Sequence, residues 1–251
     1  MVTRYIGYAQ EDVTLAVHRG LPSRHVTLVI SLEGPVRYAG AGALQSAVGG
    51  LHTKPALITQ DRVQRGVQLE LDPLGVRTLL GVPAAELAGR TVDLADFGGE
   101  LARLPHRLAE ADGWPARFAI LDEVLAARAV TPVGASPELE RAWRQLRRSG
   151  GALRVGTLAD EVGWSTRHLG ERFRTELGLA PKQAARVLRF ERAVRLLRTG
   201  HRELAAVAYA AGFYDQAHLS NEWRALAGCS PRTWMAEELP FLHAEGPEPE
   251  A

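Results

Sequence analysis

The chain repeats itself near its C-terminus. A segment reading LADEVGWSTRHLGERFRTELGLAP ends at Pro181, and a second, VAYAAGFYDQAHLSNEWRALAGCSP, ends at Pro231. Leu169, Phe173, Gly178 and Pro181 of the first copy correspond to Leu219, Trp223, Gly228 and Pro231 of the second at an offset of 50, whereas Gly163 and Gly212 correspond at 49. The second copy therefore holds one extra residue in its turn. Each copy reads as a short helix, a Gly-aromatic turn, a second helix and a Gly-x-x-Pro stop, the sequence shape of a helix-turn-helix. No segment of this region has the alternation of a strand, so a tandem pair of helical units is the fold to expect here.

Helix geometry says which side of the second helix in each copy is free. In copy one Ser165 sits where an N-cap belongs, and Leu169 and Phe173, four residues apart, share one face. At about 100° per residue the opposite face carries Arg167, Gly170, Glu171 and Arg174. In copy two Asp215 is the matching cap, and Leu219, Trp223 and Leu226 face inward. Gln216 lies toward the edge of that helix, while Ala217, Ser220, Asn221 and Arg224 face outward. One such face alone is as easily a solvated surface as a binding one. Two in tandem, in a basic region, point to a partner.

The charge is unevenly divided. Net charge over the 251 residues is only +1, but Ser136 to Leu239 holds 17 Lys and Arg against 12 Asp and Glu. The preceding residues are close to neutral and the extreme C-terminus is acidic. A basic region of this kind suits an anionic partner. The copies are joined by PKQAARVLRFERAVRLLRTG, whose Pro181 and Gly200 are the start and stop of one helix. Val187, Phe190, Val194 and Leu197 form its buried stripe, and Arg189 and Arg192 point away from it. Roughly eighteen residues at 1.5 Å each make a rod of about 27 Å. Such a spacer can hold two helices about one duplex turn, roughly 34 Å, apart on one face of DNA. In that setting Arg189 and Arg192 read as phosphate contacts, with a solvated surface as the alternative. Ser165, Arg174, His218 and Arg224 complete the backbone contacts expected.

The front of the chain has another pattern. His25–Leu32, Pro55–Gln60 and Gly66–Asp72 are short runs rich in Val, Ile, Leu and Thr, punctuated by Gly and Pro, and predict strands. The Gly-rich stretch GPVRYAGAGALQSAVGGLH reads as turns, because it lacks the third glycine and the Gly-Lys-Ser/Thr of a phosphate-binding loop. From Pro73 the apolar spacing changes to three and four, so PLGVRTLLG and FAILDEVLAARAV predict helices. Thr131–Glu140, with two prolines and a glycine, reads as a linker. The expectation is an α+β chain: a β-rich domain with trailing helices over residues 1–134, an all-α domain with two helix-turn-helix motifs over 135–239, and a flexible tail over 240–251.

Little else in the sequence carries chemistry. Cys229 has no second cysteine to pair with, so a reducing compartment and a cytoplasmic protein are expected. The N-terminus lacks the apolar stretch of a secretory signal, and no apolar run approaches the roughly 18 residues of a spanning helix, so no membrane partner is expected. His18, His25 and His52 are candidates for a metal or ligand site, but no pair has close ligand spacing. Structural roles are expected for them, with no metal and no cofactor. Cys229, in a Gly-Cys-Ser-Pro turn, reads as a small packed side chain. No nucleophile motif or paired acids suggest an enzyme.

GFYDQAHLSNEWRALAGCSP, with GWSTRHLGERFRTELGLAP some fifty residues earlier, resembles the paired helix-turn-helix domain of AraC/XylS-type bacterial transcription regulators, over roughly residues 137–237. The resemblance implies double-stranded DNA as partner, with both second helices inserted into successive major-groove segments. It places base reading on Arg167, Gly170 and Glu171 in copy one. In copy two it places it on Gln216, Ala217 and, near the backbone, Ser220 and Asn221. Gly170 departs from the family pattern in offering no side chain, Glu171 in replacing a polar or basic residue, and Asn221 in standing where an arginine is common. Arg167 suits guanine O6 and N7. Glu171 suits either cytosine N4 or an ion pair with Arg167 or Arg174, and the sequence does not rank the two. The resemblance also implies a cupin-like front domain that senses a small-molecule effector or makes a homodimer, and contact with RNA polymerase if the protein is an activator. A pure protein-interaction module, or a metal-dependent cupin-like enzyme fused to the DNA-binding domain, are the alternatives for the front half.

Overall fold

The computed structural model describes residues 1–130 and 134–243. Its strands come first: β1 (Val2–Gln10), β2 (Val17–Gly20), β3 (Val26–Ser31), β4 (Val36–Tyr38), β5 (Gly42–Leu44), β6 (Ser46–Gly49), β7 (Ala56–Thr59), β8 (Gln64–Leu71) and β9 (Thr91–Asp93). They form two antiparallel sheets, ordered β1-β8-β3-β6-β9 and β2-β7-β4-β5. The three runs predicted as strands are β3, β7 and β8. The Gly-rich stretch expected to be all turns holds β4, β5 and β6 as well, with a tight hairpin at Gly40, whose φ is +84°. β1 was not among the predicted runs either, because its polar and apolar residues do not alternate and no Gly or Pro marks its start.

Alternation sorts the larger sheet into two unlike faces. Val67, Leu69 and Leu71 of β8, with Val26, Leu28 and Ile30 of β3, are fully buried on one face. They pack under α1 (Val76–Leu80), α2 (Ala84–Leu87), α3 (Gly99–Glu110) and α4 (Gly113–Arg128). Residues on the other face look toward the smaller sheet.

The remaining helices are α5 (Pro137–Arg148), α6 (Val155–Glu161), α7 (Thr166–Leu177), α8 (Pro181–Arg198), α9 (Leu204–Ala211), α10 (Gln216–Ala227), α11 (Pro231–Glu237) and α12 (Leu239–His243). Thr131, Pro132 and Val133 of the expected linker lie outside the described residues. Its far end is helix: the Ser136 hydroxyl accepts from the Leu139 amide and Pro137 opens α5. Of the expected tail, residues 244–251 lie outside the described residues, while Leu239–His243 is helical because Leu239 and Leu242 pack onto the neighbouring core.

The interior divides into two apolar cores, and the division falls inside α8. The first runs from the sheet through α1–α4 into α5, α6, α7 and the opening of α8, where Ala184, Ala185 and Leu188 join it. The second gathers Val187, Phe190, Ala193 and Leu197 of α8 with α9–α12 around Trp223. Trp223 meets Phe190 and Trp234 edge-on, with ring centroids 4.8 and 5.3 Å away.

Candidate nucleic-acid interface and inner chamber

Both expected helix-turn-helix units form. In the first, α6 and α7 flank Gly163 (φ +74°); in the second, α9 and α10 flank Gly212 (φ +84°). Each second helix is capped as the sequence indicates: Ser165 Oγ accepts from the His168 amide at 3.1 Å, and Asp215 Oδ1 from the His218 amide at 2.7 Å. Leu169, Phe173, Leu219 and Trp223 are fully buried, so the opposite faces are the free ones. A feature of the repeat not noticed in the sequence links turn to helix in both copies. Trp164 packs edge-on against His168 and Phe213 against His218, with centroids 4.7 and 5.4 Å apart.

On α7, Arg167 is 90% exposed and its Nε donates to Glu171 Oε1 at 2.9 Å. Of the two arginines expected as partners for Glu171, it pairs with Arg167. The pairing holds the Glu171 carboxyl below the usual carboxylate range and raises the Arg167 guanidinium. Gly170, expected on the outward face, is buried. A Cβ there would lie 3.4 Å from Arg174 Nη1, so the Arg174 side chain covers this position. On α10, Gln216, Ala217, Asn221 and Arg224 are exposed and Ser220 is half-buried. Arg224 Nη1 donates to Asn221 Oδ1 at 3.2 Å.

Of the expected backbone contacts, Arg189 and His218 are partly buried and engaged within the protein. Arg189 does not point away: it is half-buried, and Nη1 donates to the Gly151 carbonyl at 2.8 Å, which ties α8 to the loop before α6. Burial lowers its guanidinium from the usual arginine value. His218 is partly buried and its Nδ1 accepts from the Tyr214 amide at 3.2 Å, closing the turn. Ser165, Arg174, Arg192 and Arg224 are exposed. Tyr209 and Tyr214, 87% and 92% exposed, also stand on the second unit, and no spacing rule singled them out.

The second site is a chamber of about 350 Å³ between the two sheets. Even-numbered residues of two strands of the larger sheet line it, Ile6, Tyr8 and Gln10 of β1 and Gln64 and Gln68 of β8 among them, beside Thr27 and Val29 of β3. Ile58 of β7 and Tyr38 of β4 face them, and Val194, Trp234 and Leu242 of the helical region close one side. This wall is too polar for a sandwich core. Gln10 Nε2 and Glu191 Oε2, both at the chamber, are buried with no hydrogen-bond partner. Burial of the Glu191 carboxyl raises it, and Glu70 nearby adds to the effect. The signal in the sequence was Gln64, Gln68 and Glu70 at alternate positions of β8, a strand whose other face carries the buried Val67, Leu69 and Leu71.

The three histidines are all engaged with neighbours. His18 Nδ1 donates to Glu238 Oε2 at 2.7 Å, and His52 Nδ1 contacts the Lys54 carbonyl. His25 is buried, takes a hydrogen bond from Arg24 Nε at 3.2 Å on Nε2, and sets Nδ1 3.2 Å from Glu70. Burial, with Arg24 and Arg147 near, lowers it to about 4, so the ring is neutral and its proton sits on Nδ1. Among the described residues no group of three His, Cys, Asp or Glu is placed to hold a metal ion. No described helix is long and apolar enough to cross a membrane.

Two capped helix-turn-helix units on a shared rod, behind a two-sheet sandwich, define a DNA-binding protein of the transcription-regulator class. Residues 158–237 match the family model described as a helix-turn-helix domain, and this region is a DNA-binding domain of the AraC type. The fold as a whole is shared with ToxT from Vibrio cholerae. An apo ToxT variant is 10% identical, with 94% of this chain and 98% of that one covered at a TM-score of 0.55. Wild-type ToxT bound to an unsaturated fatty acid is likewise 10% identical, with 94% and 96% covered at 0.52. The DNA-binding domain of AdpA, a global transcriptional factor solved with target DNA, is 28% identical over 44% of this chain and all of that one, at 0.40. No curated protein matches the chain.

Proposed function

We propose that the chain is a sequence-specific regulator that places α7 and α10 in successive major-groove segments and senses a small molecule in its sandwich. Residues 1–134 form the sensing unit and 135–239 the DNA-binding unit. For DNA binding the carrying observation is the pair of capped helices in tandem, each with its inward face buried and its outward face exposed. Arg167, Glu171, Gln216, Ala217, Ser220 and Asn221 are the base-facing set, and Arg174, Arg192 and Arg224 the phosphate-facing one. Gly170 contributes by leaving room for the Arg174 side chain. In meeting DNA, Arg167 exchanges its bond with Glu171 for a guanine edge.

For sensing, the carrying observation is a chamber that holds the unpartnered buried Gln10 Nε2 and the Glu191 carboxylate, whose Oε2 accepts no hydrogen bond and has Arg24 only at 3.7 Å. Buried polar groups are nearly always satisfied, so a molecule that supplies an acceptor to one and a donor to the other belongs there. The structurally similar ToxT has been seen with an unsaturated fatty acid bound, which supports a ligand-binding front domain in this fold. A front domain that only makes protein contacts would have no use for this chamber.

Selection of bound fragments from genomic DNA by the full-length protein tests the first part. The recovered site should contain two half-sites one helical turn apart, and binding should weaken steeply with salt. Arg167→Ala should relax preference at one base pair by roughly tenfold; equal weakening on all sequences would make Arg167 a phosphate contact. Calorimetric screening of small molecules against wild type and Gln10→Leu tests the second part, and a ligand bound equally well by both would lie elsewhere.

A further inference from the structure

One buried cluster has no part in either proposal. Glu238, the residue following α11, is fully buried. Its Oε2 accepts from His18 Nδ1 at 2.7 Å, and its Oε1 from the Arg19 amide at 2.9 Å and Arg19 Nη1 at 3.3 Å. The same Nη1 meets Glu237 Oε2 at 2.7 Å. His18 and Arg19 belong to β2 and both line the chamber. The cluster is thus a charged tie between the sandwich and the end of the second helix-turn-helix unit.

Apolar support for that tie is thin. Among the described residues, Leu21 is the front-domain side chain packed against the second core. The first unit is held differently, because its core is continuous with that of the sheet. The matching glycines differ only in degree: a Cβ at Gly178, which ends α7, would fall 2.3 Å from Ala88 Cβ, and one at Gly228, which ends α10, 3.2 Å from Pro55 Cγ, so Pro55 is a further front-domain contact of the second unit. A buried carboxylate stripped of its donors is strongly destabilising, so this tie is kept or lost as a unit.

We propose that Glu238, with His18 and Arg19, is a latch: it fixes the second helix-turn-helix unit to the sandwich, and its release frees that unit while the first stays in place. A molecule in the chamber lies against His18 and Arg19 and so meets the latch directly. That link rests on the sensing reading; the latch itself does not.

Hydrogen exchange on the full-length chain tests it, with wild type set against Glu238→Ala and Glu238→Gln. Glu238→Ala should raise exchange in α9 and α10 by about tenfold or more while α7 keeps its rates. Glu238→Gln, which keeps the shape and loses the charge, should fall between. Arg77→Ala is the control. It removes the 3.0 Å contact of Arg77 with Glu176, a polar tie between the front domain and α7, and should leave α7 unchanged because the apolar core holds it. Unchanged exchange in α9 and α10 in both Glu238 variants overturns the latch, as does an equal rise in α7 and α10. Should Glu238→Ala unfold the whole chain, Glu238→Gln decides by the same comparison. The calorimetric screen, which uses no Glu238 variant, decides the sensing reading separately.

Discussion

The two helix-turn-helix units began as one pattern and ended in different mechanical situations. Copy one gives its inward residues, Leu169, Phe173 and Leu177, to a core that runs on into α1–α4 and the larger sheet. Copy two gives Leu219, Trp223 and Leu226 to a core of its own. The aligned residues are the same kind of side chain, so the difference lies in what each unit was set against. Apolar area shared with the front domain makes the first unit part of one cooperative body. The second is joined to that body through α8, the Glu238 cluster and the 2.6 Å bond of Arg186 Nε with Glu222. The duplicated unit thus has one half built into the core of the sheet and one half held to it by fewer contacts.

The largest test of that difference removes the matching aromatic from each core. Phe173→Ala and Trp223→Ala should each cost about 3–5 kcal/mol. Phe173→Ala should lower one transition in which sheet and α7 melt together. Trp223→Ala should split the melt, with α9–α12 lost first and the sheet close to its wild-type midpoint. Calorimetry with hydrogen exchange in β8 as the sheet probe separates the two. A single lowered transition in both variants would mean that the cores are energetically one.

A smaller effect comes from the seam where α8 meets the sheet. Here Glu191 lies 3.7 Å from Arg24, Arg24 donates to His25, and His25 faces Glu70. His25 is held near 4 against an ordinary 6.5, chiefly by burial. The folded chain therefore refuses a proton that the unfolded chain accepts. Its contribution is fully present above pH 6.5 and is lost as pH falls toward 4. Over that window it amounts to at most about 3 kcal/mol. His25→Asn should flatten this part of the stability–pH curve, read from urea midpoints at pH 7, 5.5 and 4.5. If the slope survives, another group carries it.

How far each region was legible follows from the kind of signal it carries. The repeat fixed both turns, both caps and the buried faces, because glycine, cap and period-3.6 chemistry act within a few residues. Ser165 and Asp215 stand where that chemistry puts them. Arg189 was misplaced because its partner, the Gly151 carbonyl, is 38 residues away and invisible to periodicity. Gly170 was placed on the right face, but a neighbouring side chain's conformation, not the helix period, buries it. The chamber and latch were illegible for a further reason. Both need the register of β1 on β8 and the docking of α11 on β2, contacts that span 219 and 220 residues for Arg19 and His18 with Glu238. Of the histidines for which structural roles were expected, His18 and His25 sit at places where the helical region meets the sheets, again through partners distant in sequence.

The smallest test uses the caps, which are chemically equivalent and mechanically unlike. Ser165→Ala and Asp215→Ala each remove one bond to a first-turn amide, worth about 1 kcal/mol. In a body that opens only by unfolding as a whole, that loss appears as a slightly lower global stability and leaves local exchange untouched. In a unit that opens by itself, it appears as faster exchange at that unit. Ser165→Ala should therefore lower the urea midpoint with little change in α7 relative to β8. Asp215→Ala should raise exchange of the His218 and Leu219 amides about fivefold over β8, and Asp215→Asn, an equally good cap, should restore most of it. Faster local exchange in α7 as well would place both units on the same footing, and the two halves would then differ in packing but not in motion.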